Sequence, residues 1–345
     1  HDYNVDGEMV CHGCGKNYFY CETCDSRHLI EDRYNQYCCN ACRIVLETQL
    51  IKPYNYVPKE PKFYGKAPFF MGVELEVECD ADSEVNTKAK QVVKILGDFV
   101  YLKNDGSLID GFEIVSHPAT LAQHKLLWNA FLDNPPKGLI SFDSDNCGLH
   151  VHASRNHLAD ITVAKIVVFV NANMNRRFIT RLAQRRSEDY AKFKFKTIDN
   201  YFSDDKYEAV NLIPKNTIEF RMFKGTLKKE SVFRALEFVD CIIKYCANNP
   251  IERCVSYKEF IDYVKQQRRF YPELKRFCDE FEKLPEIKSG AKVDDDGEEE
   301  ETVGQAVELV LNLTSMNNTY FYTQAYEAAR NLNIEPSIYD DYLNF

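Results

Sequence analysis

Between Phe69 and Glu78 the chain reads FFMGVELEVE. Glu74, Glu76 and Glu78 occupy every second position, with Val73, Leu75 and Val77 between them. In a β-strand successive side chains point to opposite faces, so the three carboxylates share one face and the aliphatic residues pack on the other. Three anions on one face repel each other unless water screens them or cations and donors stand opposite. A solvated outer face and a metal- or substrate-binding wall are the two outcomes, and the rest of the chain has to decide between them.

Three further segments follow the same face logic. In GLHVHAS, His150 and His152 share a face while Leu149 and Val151 take the other. In TIEFRMF, Glu219 and Arg221 lie together, with Ile218, Phe220 and Met222 opposite. In DGSLIDGFEIVSHP, Glu113 sits between Phe112 and Ile114, and Asp105-Gly106-Ser107 adds an acid on a glycine turn where backbone donors can approach a ligand. Each motif alone has a bland explanation, as a wet strand face, a packed histidine pair or a cross-strand ion pair. Their sum on one sheet is costly to leave dry and unpaired, whereas divalent cations with phosphate oxygens would satisfy it. Hard oxygen donors dominate, so the expected ion is Mg²⁺ or Mn²⁺. No G-x4-G-K-[ST] loop occurs, and no serine or cysteine nucleophile context stands out. The basic stretch NRRFITRLAQRR places Arg177, Arg181 and Arg185 on one side of an expected helix, as an exposed stripe or a phosphate contact.

Thirteen cysteines are present, seven of them within the first 42 residues. Cys21-x2-Cys24, followed after fourteen residues by Cys39-x2-Cys42, has the spacing of two knuckles closing a tetrahedral thiolate site. Structural Zn²⁺ would then supply the folding energy that so short a segment lacks. Cys38 can substitute for Cys39, but Cys39 restores the two-residue knuckle. A four-thiolate site leaves no open coordination position, which assigns this module to scaffolding or protein-partner binding. Cys11-x2-Cys14 is left over. It reads either as the closing half of a preceding module or as part of a second, irregular site with His12, His28 or Cys38.

At 345 residues and 45% hydrophobic, the chain can hold one large domain with small additions. The sequence divides into a zinc-knuckle module (1–50), a proline-punctuated linker (51–68), a main domain (69–285), an acidic loop (286–303) and a C-terminal helical tail (304–345). Helices are expected near 86–96, 119–132, 162–186, 230–246 and 257–283, with a strand pair from 209 to 225. Strands grouped with helices, without regular βαβ alternation, give an α+β fold on a largely antiparallel sheet. The run DDDGEEEE carries seven acids, and removing them from the net charge of −10 leaves −3. That balance argues against a broad nucleic-acid surface. No apolar span is long enough for a membrane helix and no secretion signal is seen, so a cytoplasmic location with reduced thiols is expected.

GVELEVE, DGS…FEIVSHP, CGLHVHAS and KYEAVNLIPKNTIEFRMFKGTL, in that order, resemble the amidoligase family, proteins similar to the glutamine synthetase and glutamate–cysteine ligase group. The resemblance covers residues 69–247 and excludes the cysteine module. It implies a glutamine synthetase-like antiparallel sheet whose charged face holds ATP and Mg²⁺. It also implies phosphorylation of a small-molecule or peptide carboxylate, followed by amine attack to form an amide or isopeptide bond. By the family motifs Glu74, Glu76, Glu113 and Glu219 are metal ligands, His150 and His152 are metal or phosphate contacts, and Arg221 binds the γ-phosphate. Lys206, Asn211 and Lys224 fall inside the last motif, near phosphate. Glu78 and Glu113 are both candidates for the base. A metal-dependent hydrolase or nuclease using the same groups, and a non-catalytic zinc-containing scaffold, are the competing expectations.

Overall fold

The computed structural model describes residues 3–5, 8–35, 38–58, 60–144, 146–185, 191–193, 205–285, 306–307 and 310. The expected acidic loop (286–303) and nearly all of the expected tail (304–345) lie outside the described residues. The N-terminal module runs β1 (Tyr3–Val5), β2 (Glu8–Val10), α1 (His12–Gly15), β3 (Tyr18–Cys21), β4 (Ser26–Leu29), β5 (Arg33–Asn35), β6 (Cys38–Cys39) and α2 (Asn40–Thr48). Its strands form three two-stranded sheets, β1-β2, β3-β4 and β5-β6. Its core is small: Phe19, Cys21 and Cys39, with Cys42 packed against them.

The main domain continues with β7 (Ile51–Lys52), β8 (Met71–Cys79), α3 (Val85–Leu96), β9 (Val100–Lys103), β10 (Gly111–Ser116), α4 (Leu121–Asp133), β11 (Leu139–Ile140) and β12 (Gly148–Ser154). Then come α5 (Asp160–Asn171), α6 (Arg176–Ala183), β13 (Val210–Asn211), β14 (Thr217–Lys224), α7 (Lys229–Asn248), α8 (Ile251–Cys254), α9 (Tyr257–Gln266) and α10 (Pro272–Glu282). Eight strands make one mixed sheet in the order β13-β14-β12-β8-β10-β9-β7, with β11 also pairing β8. All its pairs are antiparallel except β7 with β9. Part of the segment expected as a linker is therefore sheet edge. The alternation in β8 sorts its faces as expected: Val73, Leu75 and Val77 are sealed into a core with Trp128 and Phe131 of α4, Phe169 of α5 and Phe238 of α7. Among the described residues no helix is long and apolar enough to cross a membrane.

Two expected helices are broken. The 162–186 segment divides at Ala172, whose backbone is extended. The buried Asn175 side chain stands in for the interrupted ladder: its Nδ2 donates to Phe169 O and Val255 O, each at 2.9 Å, and its Oδ1 accepts from Tyr257 N. Such side-chain competition with the backbone is what asparagine does at helix ends. Gln184, at φ 57°, then ends α6 in the left-handed region and throws Arg185 off the helix. The 257–283 segment divides because Pro272, at the start of α10, cannot continue the preceding helix.

His124 of α4 is wholly buried; its Nε2 lies 2.7 Å from Met71 O, and its Nδ1 has no partner. Burial pushes this imidazole down to about 4, against the pull of the Met71 carbonyl. The native state therefore refuses a proton that the unfolded chain accepts near 6.5. Stability held above pH 6.5 is lost as the pH falls toward 4, by about 3 kcal/mol from this one group. Urea midpoints at pH 7 and 4.5 should show His124→Gln losing less on acidification than the parent. Equal losses would show that the ring is solvated or already charged.

Candidate functional site

The register of the sheet builds the site. Glu76 of β8 stands opposite Glu113 of β10, and Glu113 opposite Lys103 of β9. Glu74 faces His150 of β12; His152 faces Glu219 of β14, and Glu219 faces Asn211 of β13. Between Leu149 and Val151 the β12–β14 register shifts, so that two β14 residues, Arg221 and Met222, oppose His150 alone. Such a bulge re-aims the side chains beside it. Four strands thus bring Glu74, Glu76, Glu113, His150, His152, Glu219 and Arg221 onto one face.

Contacts across the face are close. His150 Nδ1 lies 3.5 Å from Glu74 and 3.8 Å from Glu219, and its Nε2 lies 3.9 Å from Glu76. His152 Nε2 lies 3.4 Å from Glu74 and 3.8 Å from Glu219. Arg221 Nη1 donates to Glu219 Oε1 at 2.5 Å, while Asn211 Nδ2 donates to its other oxygen at 2.7 Å. Glu76 accepts the Gly148 backbone N–H. A side chain on Gly148 would collide at 2.9 Å with His150 and press on Glu76 and Arg185, so only glycine leaves these three groups their positions.

Electrostatics divide the carboxylates. Burial works against the charge of Glu74, yet the imidazoles, His152 foremost, hold it well below the usual range. His152 is raised in turn: burial opposes its charge and Glu74 overcomes that opposition. Burial, and then the charge of Glu74, push Glu113 up to about 9. Lys103 Nζ, 3.7 Å away, only partly offsets them. At neutral pH the metal-free face therefore keeps Glu113 protonated.

Four buried atoms on this face have no hydrogen-bond partner: Glu113 Oε2, His150 Nδ1, His152 Nε2 and Arg221 Nε. Buried polar atoms are rarely left so. Two donor groups, Glu74–His152–Glu219 and Glu76–Asp105–Glu113, each place ligand atoms within 4.8 Å of one another and could each hold a metal ion. Asp105 is held for this by its Asx turn, one oxygen accepting Ser107 N–H at 2.7 Å.

The remaining candidates separate. Arg185, freed from α6 by the left-handed Gln184, lies beside Gly148 and feels the charge of Glu76, so the expected stripe keeps only Arg177 and Arg181; Arg177 donates to Pro285 O at 2.8 Å. Lys224 donates to Ser144 O and holds the loop before β12. Lys206 is exposed, its ammonium 5.1 Å from the Tyr207 ring centroid, and enters none of the ionic contacts of this face. Glu78 accepts Ile109 N–H at 2.9 Å and Asn146 Nδ2 at 3.4 Å, so its carboxylate is occupied in fastening loops. Sequence reasoning missed Lys103 and the Gly148 amide. Alternation in VYLK already puts Lys103 on one face with Tyr101, but only the β9–β10 register aims it at Glu113.

In the N-terminal module Cys21, Cys24, Cys39 and Cys42 gather their sulfurs within 4.8 Å of one another and could hold a metal ion. Cys21 Sγ accepts Cys39 N–H at 3.3 Å, and Cys39 Sγ accepts Cys42 N–H at 3.4 Å. Cys38 turns away, donating to Cys39 O at 3.2 Å, which leaves Cys39 in the cluster as the knuckle spacing requires. No protein-family model matches the chain, and no curated protein matches it significantly.

Proposed function

We propose that the chain is an ATP- and Mg²⁺-dependent carboxylate–amine ligase. The observation that carries this reading is the single sheet face on which two donor triads, two orphaned imidazole nitrogens and a buried guanidinium converge. ATP with Mg²⁺ (or Mn²⁺) would supply the phosphoryl group that activates a carboxylate as an acyl phosphate, which an amine then displaces. Glu74, Glu76, Asp105, Glu113 and Glu219 offer the hard oxygens that such cations prefer, with His152 in the first triad and His150 between the two. Arg221, held on Glu219, and Arg185, beside Gly148, supply positive charge for phosphate oxygens. Glu113 would hold such a cation as the carboxylate, its proton passing to solvent. The occupied carboxylate of Glu78 weighs against it as the base. In the N-terminal module the four sulfurs suit structural Zn²⁺, whose closed coordination fits a scaffold that presents the module to a protein partner.

The test is incubation with Mg-ATP and a mixed pool of acids and amines, reading ADP and condensation products by mass. ADP release that requires both an acid and an amine, with a product lighter than their sum by one water, is the expected result. Phosphate release indifferent to amine would replace the ligase with a metal-dependent hydrolase. Absence of nucleotide binding would leave a scaffold.

A further inference from the structure

The pair Cys11 and Cys14 takes no part in the four-sulfur cluster, yet it is built like the pairs that do. Cys11 caps the short turn α1, and its sulfur accepts the Cys14 N–H at 3.3 Å. Cys39 caps α2 in the same way, its sulfur accepting the Cys42 N–H at 3.4 Å. An amide aimed at sulfur stabilises the thiolate, the form that binds metal. Each thiol also perturbs the proton affinity of the other, so the two sulfurs are close neighbours. Both residues are exposed.

Two of the donors that could close a site around them inside the chain are engaged elsewhere. His28 Nε2 lies 3.1 Å from Cys24 Sγ, at the edge of the four-sulfur cluster. Cys38 is buried against Cys39 O. Among the described residues no third histidine, cysteine or carboxylate joins the pair in a cluster. We propose that Cys11 and Cys14 form a second, open site for a thiophilic divalent cation such as Zn²⁺, bound through two thiolates with two positions left for donors from outside. An open site can exchange ligands, which a closed four-thiolate site cannot do.

The test is anaerobic titration of Co²⁺ into the reduced, metal-free chain, following the thiolate-to-cobalt charge-transfer band. Cobalt held by the carboxylate face gives no such band, so the readout is independent of the proposed ligase. Two equivalents are expected, the second with about half the intensity of the first, because two sulfurs replace four. Added dithiothreitol should raise the second step alone. The double variant Cys11→Ser/Cys14→Ser should keep the first step and lose the second; both side chains are exposed, so the fold survives the change. Saturation of the parent at one equivalent, or two equivalents in the double variant, would overturn the site. A second step that already has four-sulfur intensity would overturn its openness.

Discussion

Glu76→Gln is expected to abolish ATP-dependent condensation, by roughly 10²–10³-fold or more, while leaving the metal-free fold in place. Both expectations follow from where this carboxylate stands. Glu76 is 6% exposed and its carboxylate lies within 4.8 Å of those of Asp105 and Glu113. Its charge is one of those holding Glu113 in the protonated form. The same charge faces the Arg185 and Arg221 guanidiniums, so on the metal-free face repulsion and attraction offset each other and its removal changes stability little. Glutamine keeps an oxygen for the Gly148 amide, so the backbone has no reason to move. The same neutral oxygen is a poorer ligand for a hard cation. Calorimetry should therefore show a similar Tm for the variant without metal and a smaller rise when Mg²⁺ is added. Undiminished ADP release would remove Glu76 from the chemistry, whatever the Tm.

The second large effect concerns the N-terminal module. Cys21→Ser should release the zinc of the four-sulfur cluster and unfold residues 18–48, leaving the eight-stranded sheet in place. Apart from its sulfurs, the large apolar side chains that module buries among its described residues are only Phe19 and Leu46, far too little apolar surface to fold so short a segment. Structural zinc contributes about 10–16 kcal/mol in comparable small domains, so its loss cannot be absorbed. Cys38→Ser is the informative companion, because its sulfur faces the Cys39 carbonyl and should be dispensable for metal. Metal content by mass spectrometry and near-ultraviolet circular dichroism would separate the two. Retention of that zinc by Cys21→Ser would mean that His28 or Cys38 can complete the ligand set.

What the sequence made legible follows from periodicity. Two-residue alternation fixes which side chains share a face, so Glu74, Glu76, Glu113, His150, His152, Glu219 and Arg221 were found together before any geometry was known. Alternation says nothing about which strand lies beside which. The opposition of Lys103 to Glu113, and the Gly148 amide on Glu76, therefore came only with the register. Parity also fails beyond Arg221, because the bulge makes both Met222 and Phe223 core residues. The expected helix from 162 to 186 concealed the buried Asn175, whose side chain replaces backbone partners. No helical period could announce that substitution, nor the left-handed turn at Gln184 that releases Arg185 toward Glu76. The knuckle spacing, by contrast, was sufficient by itself, since a tetrahedral site demands little else of so short a loop.

Lys52 gives the edge strand β7 an importance beyond its two residues. Its buried ammonium donates to Leu46 O at 3.0 Å and Glu47 O at 2.7 Å, at the end of α2, while its carbonyl accepts Asn104 N–H in the main domain. Cutting the polypeptide between Thr48 and Ile51 would strip this ammonium of the carbonyls that solvate it and leave the end of α2 bare. The two parts are best handled as one piece, and a probe attached to α2 would feel the rim of the sheet as directly as it feels the four-sulfur cluster.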